Sequence, residues 1–150
     1  METLDTDLYR DPFPHMIVKN FYNESELKLI WEELDFYTKD GKLFDAHEFG
    51  GVIDKTNSKA IWLDKIFSKK YRNLSNILKV NRKLFDSAVL EAFSSVHDCC
   101  SIAKFCNYDV TKVRYYHDGD YYEPHTDKTV QFLGFSYFYR EPKKFEGGEL

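Results

Sequence analysis

Glycine, proline and cysteine are all scarce in this sequence, which has seven, four and three of them in 150 residues. So little glycine and proline excludes collagen-like and low-complexity chains, and three cysteines are too few for a disulfide framework. No apolar run is long enough to cross a membrane, and the acidic start, METLDTDLYRDP, contains no signal-peptide core. We therefore expect a cytoplasmic protein with reduced thiols and no membrane partner.

Positive charge is also limited. The chain has 21 Lys and Arg against 25 Asp and Glu, which gives a net charge of −4. Binding to a phosphate backbone requires a basic stripe or patch. The local basic cluster from Lys65 to Arg72 is interpreted as a solvated helix face. We therefore expect no nucleic-acid partner.

Aromatic residues are abundant, at 17%, and hydrophobic residues reach 43%, which is enough for the packed core of one domain of this length. Residues 12–21 predict a short strand, and residues 38–60 a long loop. Asn23, with Glu26 three residues later, predicts the capping box of a helix. Apolar residues then follow at helical spacing, at Leu27, Ile30, Trp31 and Leu34.

Two further helical stretches are predicted before residue 100. Residues 61–82 are expected to be mostly helical, with inward positions at Trp62, Ile66, Ile77 and Leu78. Asp86 predicts the cap of another helix, whose buried side carries Val89, Leu90, Phe93 and Val96.

After residue 100, the sequence pattern is typical of β-strands. Val113–Tyr116 and Tyr121–Tyr122 flank a polar break at 117–120, HDGD, which predicts a tight β turn. The aromatic run 130–140 predicts a largely buried strand. Helices followed by strands indicate an α+β fold with helices packed on one side of a sheet.

A histidine and an aspartate lie two residues apart in the run YYEPHTDKTV. On an extended strand, the side chains of His125 and Asp127 point the same way, with their Cα atoms about 6.6 Å apart. Imidazole and carboxylate together suit a first-row divalent metal, and one more His completes the facial triad of non-heme Fe(II) oxygenases. Two polar residues at a sheet edge are the alternative interpretation.

The residues around this pair resemble a known family. The run from Tyr116 to Asp127, YHDGDYYEPHTD, resembles the motif of the Fe(II)- and 2-oxoglutarate-dependent dioxygenases, within them the prolyl 4-hydroxylase-like group of small bacterial and phage enzymes. The matching positions are Tyr116, Gly119, Tyr122, Pro124, His125 and Asp127. FEGGEL at 145–150 is similar to the turn that enters the family's next strand, and PFPHMIVKNF at 12–21 to the start of its small members.

The resemblance implies a fold. It predicts N-terminal helices packed on an incomplete double-stranded β-helix, the jelly-roll or cupin-like sheet. Residues 1–150 would form a single, truncated domain. Residues 1–110 would be a helical support region with an N-terminal strand, and residues 111–150 the first strands of the β-helix, carrying the H-x-D motif.

The resemblance also implies an activity. It predicts hydroxylation of an unactivated C–H bond by Fe(II), 2-oxoglutarate and dioxygen, with ascorbate as an auxiliary reductant. The substrate would be a peptide or a small molecule, and the family suggests peptidyl proline. His125 and Asp127 would be iron ligands, and Tyr116 would line the 2-oxoglutarate site. Either Tyr137 or Tyr139 would face it as well, depending on the strand register.

Two parts of the family's site have no match in the sequence. The third iron ligand, a His, and a basic residue that pairs with 2-oxoglutarate both follow the H-x-D motif at a distance, and none of the five histidines follows His125. We expect both beyond Leu150, in a longer protein of which these residues are the N-terminal part. The 150-residue chain alone is therefore expected to be inactive.

Other interpretations stay open. The chain could be an inactive fragment or pseudoenzyme that serves as an interaction module. A metal-dependent hydrolase ranks lower, because neither H-E-x-x-H nor G-x-S-x-G occurs. His117 could approach as a third ligand, although a turn position is favoured. A zinc site is disfavoured by the spacing of His97, Cys99, Cys100 and Cys106, and buried free thiols at a helix end are preferred.

Overall fold

The computed structural model describes residues 4–39, 41–46, 56–106, 108–124 and 132–147. The strands are β1 (Thr6–Tyr9), β2 (His15–Val18), β3 (Phe44–Asp45), β4 (Lys59–Trp62) and β5 (Lys112–Tyr115). The α-helices are α1 (Glu24–Tyr37), α2 (Leu63–Ile66), α3 (Asn76–Asn81) and α4 (Ser87–Val96). Three 3₁₀ helices cover Lys69–Leu74, Arg82–Phe85 and Asp98–Phe105.

The strands of the described ranges form two small antiparallel sheets. One pairs β1 with β2, and the other has the order β3-β4-β5. The α+β class is therefore confirmed, whereas the double-stranded β-helix stays a prediction. The strand expected within 12–21 is present as β2, and its partner β1 was not foreseen. Among the described residues, no helix has both the length and the apolar character needed to cross a bilayer.

The first helix begins as the sequence predicts. The Asn23 side chain accepts a hydrogen bond from the Glu26 backbone N–H at 2.9 Å, and a Glu26 carboxylate oxygen accepts one from the Asn23 N–H at 2.9 Å. This is the predicted capping box, and it satisfies two donors that a helix start leaves unpaired. Ile30 is buried on the inner side of α1. The other three predicted inward residues are half-buried there.

A hydrophobic core lies between helices α1 and α3 and one face of the β4–β5 sheet. Its buried members are Ile30, Tyr37, Ile61, Leu63, Ile77, Leu78, Val80 and Val113. Ile61 and Val113 are directly opposite each other across the two strands. Because side chains alternate along a strand, the neighbouring pair of Ala60 and Arg114 lies on the opposite face of the sheet.

The expectation of helix over 61–82 is only partly confirmed. Ile77 and Leu78 are buried in α3 as predicted. Trp62, however, belongs to strand β4 and is half-buried, and Ile66 is exposed at the end of the short helix α2. Pairing of residues 59–62 with β5 supplies the backbone hydrogen bonds here, so tertiary contacts override the local helical pattern. The predicted loop 38–60 likewise contains β3 and the start of β4.

The helix predicted from Asp86 is present as α4. Asp86 occupies the N-cap position, although its side chain makes no capping hydrogen bond. Val89 and Val96 are buried, whereas Leu90 and Phe93 are only half-buried. The predicted face of this helix is therefore correct.

The predicted buried strand at 130–140 is wrong for its described part. Residues 132–140 contain no strand and expose Phe132, Leu133, Phe135, Tyr137 and Tyr139. Alternate residues nevertheless contact the helical layer: Phe132 packs edge-on against Phe93, Phe138 against Trp31, and Arg140 pairs with Asp35. One side of the run thus contacts the helices, the other apolar side is exposed, and no neighbouring strand pairs with the run in the described ranges.

The polar break at 117–120 is a turn, as predicted, but it does not form a hairpin. Asp120 N–H donates to the His117 carbonyl at 3.0 Å, and Gly119 has a φ of 79°. Tyr115 pairs with Lys59 and Tyr122 bridges Thr56, so both sides of the turn run along the same neighbouring segment. The turn is therefore a four-residue bulge in a continuing strand direction.

A carboxylate joins α1 to α3. Glu33 accepts hydrogen bonds from the Ser75 hydroxyl at 2.6 Å, the Ile77 backbone N–H at 2.9 Å and the Tyr37 hydroxyl at 2.8 Å. Ser75 in turn caps α3 by accepting from the Leu78 N–H at 3.1 Å. A negative charge at the start of a helix is also favoured by the helix dipole.

We expect Glu33→Gln to destabilise the protein by about 1–3 kcal/mol, because an amide cannot accept from three donors as the carboxylate does. Urea unfolding followed by circular dichroism measures this. Glu32→Gln, at an exposed neighbouring position, is the matched control and should change stability by less than about 0.5 kcal/mol. Equal effects of the two substitutions would contradict the assignment.

Alkaline pH should weaken the fold through Tyr37. Burial, followed by the bond to Glu33 and its charge, raises the pKa of Tyr37 above its ordinary range. A raised folded-state pKa adds stability that is complete below the unfolded value of about 10 and is lost as the pH rises above it. The stability difference between wild type and Tyr37→Phe should therefore shrink above about pH 10. Urea unfolding at several pH values tests this, and a growing difference would contradict it.

Candidate functional site

His125 and Asp127, the two predicted metal ligands, lie outside the described residues. Their role therefore stays a prediction, as does that of the second motif, whose residues 148–150 also lie outside. The described chain reaches Pro124 on one side of the H-x-D motif and resumes at Phe132 on the other. The candidate site is accordingly built from the residues that flank the motif.

Tyr116 lies on the face of the sheet that points away from the helical core. Val113 of β5 is buried in the core, so Arg114, and Tyr116 directly after the strand, project from the other face. The contact between them agrees with this, because Arg114 Nη1 lies 3.5 Å from the Tyr116 hydroxyl. The cross-strand pair on the same face, Lys112 over the ring of Trp62 at 4.4 Å, follows the same alternation.

Buried hydroxyl groups surround Arg114. Its Nη1 donates to Thr56 Oγ1 at 3.3 Å, and the Thr56 and Ser58 hydroxyls are 2.9 Å apart. Thr56 is 2% exposed and Ser58 is fully buried. The guanidinium lies over the Tyr122 ring, 4.1 Å from its centroid. The result is a cation lined by hydroxyl groups and aromatic rings.

Tyr137 approaches Tyr116 from a distant part of the sequence. Burial raises the pKa of Tyr137, and the proximity of the Tyr116 phenol raises it further. Tyr139, in contrast, packs its ring edge-on against Phe145, with centroids 6.0 Å apart. The charge of the Tyr116 phenol thus contributes to the raised pKa of Tyr137, while the described ring contact of Tyr139 is with Phe145. Whether either residue serves a co-substrate stays a prediction.

Arg114 is the site residue that the sequence interpretation missed. A signal was available, since Arg114 precedes Tyr116 by two residues in a predicted strand, and such residues share a face. The family resemblance predicts a basic residue after the H-x-D motif, and that expectation stays a prediction.

His117 has the features of a turn residue. Its Nδ1 lies 3.4 Å from an Asp120 carboxylate oxygen, its backbone N–H donates to the same oxygen at 2.8 Å, and its side chain is 57% exposed. Its ring packs edge-on against Tyr115. These contacts favour the turn interpretation over a role as third ligand.

The cysteines are confirmed as free thiols, but the expected burial holds only for Cys100. Burial raises the pKa of the Cys100 thiol, whereas Cys99 and Cys106 are exposed. Cys99 Sγ lies 3.2 Å from His97 Nδ1. Among the residues that the structure describes, no three His, Cys, Asp or Glu side chains converge as metal ligands.

Comparison with known proteins found no match to the chain among protein-family models, curated proteins or solved structures.

We expect Tyr116→Phe to lower the pKa of Tyr137 part of the way towards its ordinary value, because one of the two causes of the raised pKa is removed and burial remains. Carbon NMR of labelled tyrosines during a pH titration measures this. Tyr71→Phe, a change at an exposed ring outside the site, is the control. An unchanged pKa of Tyr137 in the Tyr116 variant would show that the two phenols do not interact.

Proposed function

We propose that this chain contributes to an Fe(II)- and 2-oxoglutarate-dependent oxygenase that hydroxylates an unactivated C–H bond. In this proposal, its helices support an incomplete double-stranded β-helix. The single observation that supports it best is the position of Tyr116, whose hydroxyl lies 3.5 Å from Arg114 Nη1 on the sheet face away from the helices. Tyr116 opens the stretch that matches the family motif, and Tyr137 follows the motif.

The donor types present fit the proposed cofactors. A neutral imidazole and a hard carboxylate, from His125 and Asp127, suit Fe(II) and leave positions for small ligands. The proposal requires one more protein ligand to complete the facial triad. The cation and hydroxyl groups at Arg114, Thr56 and Tyr116 are donors of the kind that a carboxylate accepts from. When bound, the iron would couple the conversion of 2-oxoglutarate and dioxygen to succinate and CO₂ with hydroxylation of the substrate.

The residues of this chain would bind and orient the co-substrate. Tyr137, whose phenol carries its proton at neutral pH as tyrosines ordinarily do, would serve as a hydrogen-bond donor. Arg114 is held over the Tyr122 ring, which fixes the direction of its donors. Pre-oriented donors of this kind lower the cost of ordering a bound ligand. Peptidyl proline is the acceptor that we propose first, with a small molecule as the alternative, and ascorbate would keep the iron reduced.

An interaction module is the second candidate. The observation that favours it is the exposed apolar side of 132–140, which carries Leu133, Phe135, Tyr137 and Tyr139. Exposed apolar groups that cluster in this way often mark contact surfaces. Formation of succinate separates the two candidates, since an interaction module does not turn over 2-oxoglutarate.

The test is an anaerobic titration of the protein with Fe(II) and 2-oxoglutarate, followed by the visible charge-transfer absorption of the chelate. We expect His125→Ala and Asp127→Ala each to abolish the band and to weaken Fe(II) binding more than about 100-fold, since even partners of metal ligands can contribute 10–100-fold.

His15→Ala is the control for these two variants. His15 lies in β2, in the sheet separate from β5, where its ring stacks on Tyr9. This variant should keep the charge-transfer band. Retained Fe(II) affinity in either motif variant would contradict the ligand assignment.

A further inference from the structure

Arg114 is a half-buried cation without a carboxylate partner in the described residues. Transfer of a charge out of water is costly unless an opposite charge compensates for it. Yet within the described ranges no Asp or Glu oxygen lies within 4.0 Å of this guanidinium. Its hydrogen bonds, at 3.3 and 3.5 Å, go to two hydroxyl groups and are long.

The other arginines that stack on aromatic rings are each compensated. Arg82 lies over Phe85 at 4.2 Å and pairs with Asp109 at 3.3 Å. Arg140 lies over Trp31 at 4.0 Å and pairs with both carboxylate oxygens of Asp35. Arg114 has the same stacked geometry over Tyr122, at 4.1 Å, but no carboxylate partner in the part of the chain that the structure describes. Stacking alone therefore does not account for its position.

The groups around Arg114 are suited to an oxyanion. A guanidinium has five N–H donors, and only one nitrogen of Arg114 takes part in hydrogen bonds with described residues. The fork of its guanidinium can donate two parallel hydrogen bonds to a planar carboxylate. A single hydroxyl group cannot accept both of these bonds in that geometry. The Tyr116 hydroxyl lies beside it and can donate a further hydrogen bond to the same carboxylate.

We propose that Arg114, together with Tyr116 and Thr56, forms a binding site for an aliphatic carboxylate. This inference rests on the proposed function for the identity of the ligand, because the carboxylate would belong either to the distal end of 2-oxoglutarate or to the substrate. It places the anion-binding residue before the H-x-D motif, on β5, whereas the family resemblance predicts a basic residue after it.

The first experiment uses the metal-free protein and glutarate, a dicarboxylate that lacks the keto group needed for chelation. Isothermal titration calorimetry should detect binding to the wild type, weakened about 10- to 100-fold by Arg114→Gln, the range expected for charged hydrogen bonds. Arg82→Gln, which removes a stacked and compensated arginine on the helical side, should leave glutarate binding unchanged. Absence of binding to the wild type, or equal binding by Arg114→Gln, would overturn the proposal.

The second experiment distinguishes the two sources of the carboxylate. In the presence of Fe(II), 2-oxoglutarate is compared with 2-oxobutanoate, which keeps the chelating keto acid but lacks the distal carboxylate. If Arg114 binds 2-oxoglutarate, Arg114→Gln should weaken its binding about 10- to 100-fold and leave 2-oxobutanoate unaffected. If 2-oxoglutarate is also unaffected while glutarate binding depends on Arg114, the site accepts the substrate's carboxylate.

Failure of this inference is distinguishable from failure of the proposed function. Glutarate binding that depends on Arg114, in a protein that does not bind Fe(II), would refute the oxygenase and retain the carboxylate site. Iron binding that depends on His125, without any effect of Arg114→Gln on glutarate binding, would refute the carboxylate site and retain the oxygenase. Arg114→Lys serves as the second variant if the glutamine variant unfolds. It keeps the charge but loses the fork, and should give an intermediate loss of affinity.

Discussion

The carboxylate of Glu33 is the interaction on which the helical layer depends. It joins the middle of α1 to the first turn of α3 by accepting from Ser75 and from the backbone of Ile77, next to the most buried residues of the core. A carboxylate that accepts several hydrogen bonds fixes both position and direction, which apolar contacts alone do not. With these two helices held together, Ile61 and Val113 have a surface on which the β4–β5 sheet can pack.

This packing divides the sheet into two chemically different faces. One face is apolar and covered by helices, and the other carries Arg114 and Tyr116 above the buried Thr56 and Ser58. The segment 132–140 lies with alternate side chains against the helices. The carboxylate site that we propose thus arises from two separate segments, one at Thr56 and one at 114–116, which only the folded chain brings together.

Several structural elements could be predicted because the sequence patterns that specify them are local. The capping box of Asn23 and Glu26 depends on a spacing of three residues, and the turn at 117–120 depends on Gly119, whose positive φ glycine adopts without strain. The predictions that were wrong concern the segments with which strands pair. Residues 59–62 pair with β5, and the aromatic run at 132–140 has no strand partner among the described residues. A hydrophobic pattern predicts that a segment faces apolar surroundings, and does not identify which neighbour supplies them.

The sequence by itself determined the α+β class, the starts of α1 and α4, the turn at 117–120 and the H-x-D candidate, because each follows from a pattern that is read along the chain. The tertiary structure decided that the turn continues a strand instead of reversing it, and that Arg114 has hydroxyl groups but no carboxylate partner among the described residues. These features depend on pairing between residues that are 20 or more positions apart. No local pattern encodes such pairing, because it is the burial and hydrogen bonding of the whole chain that select it.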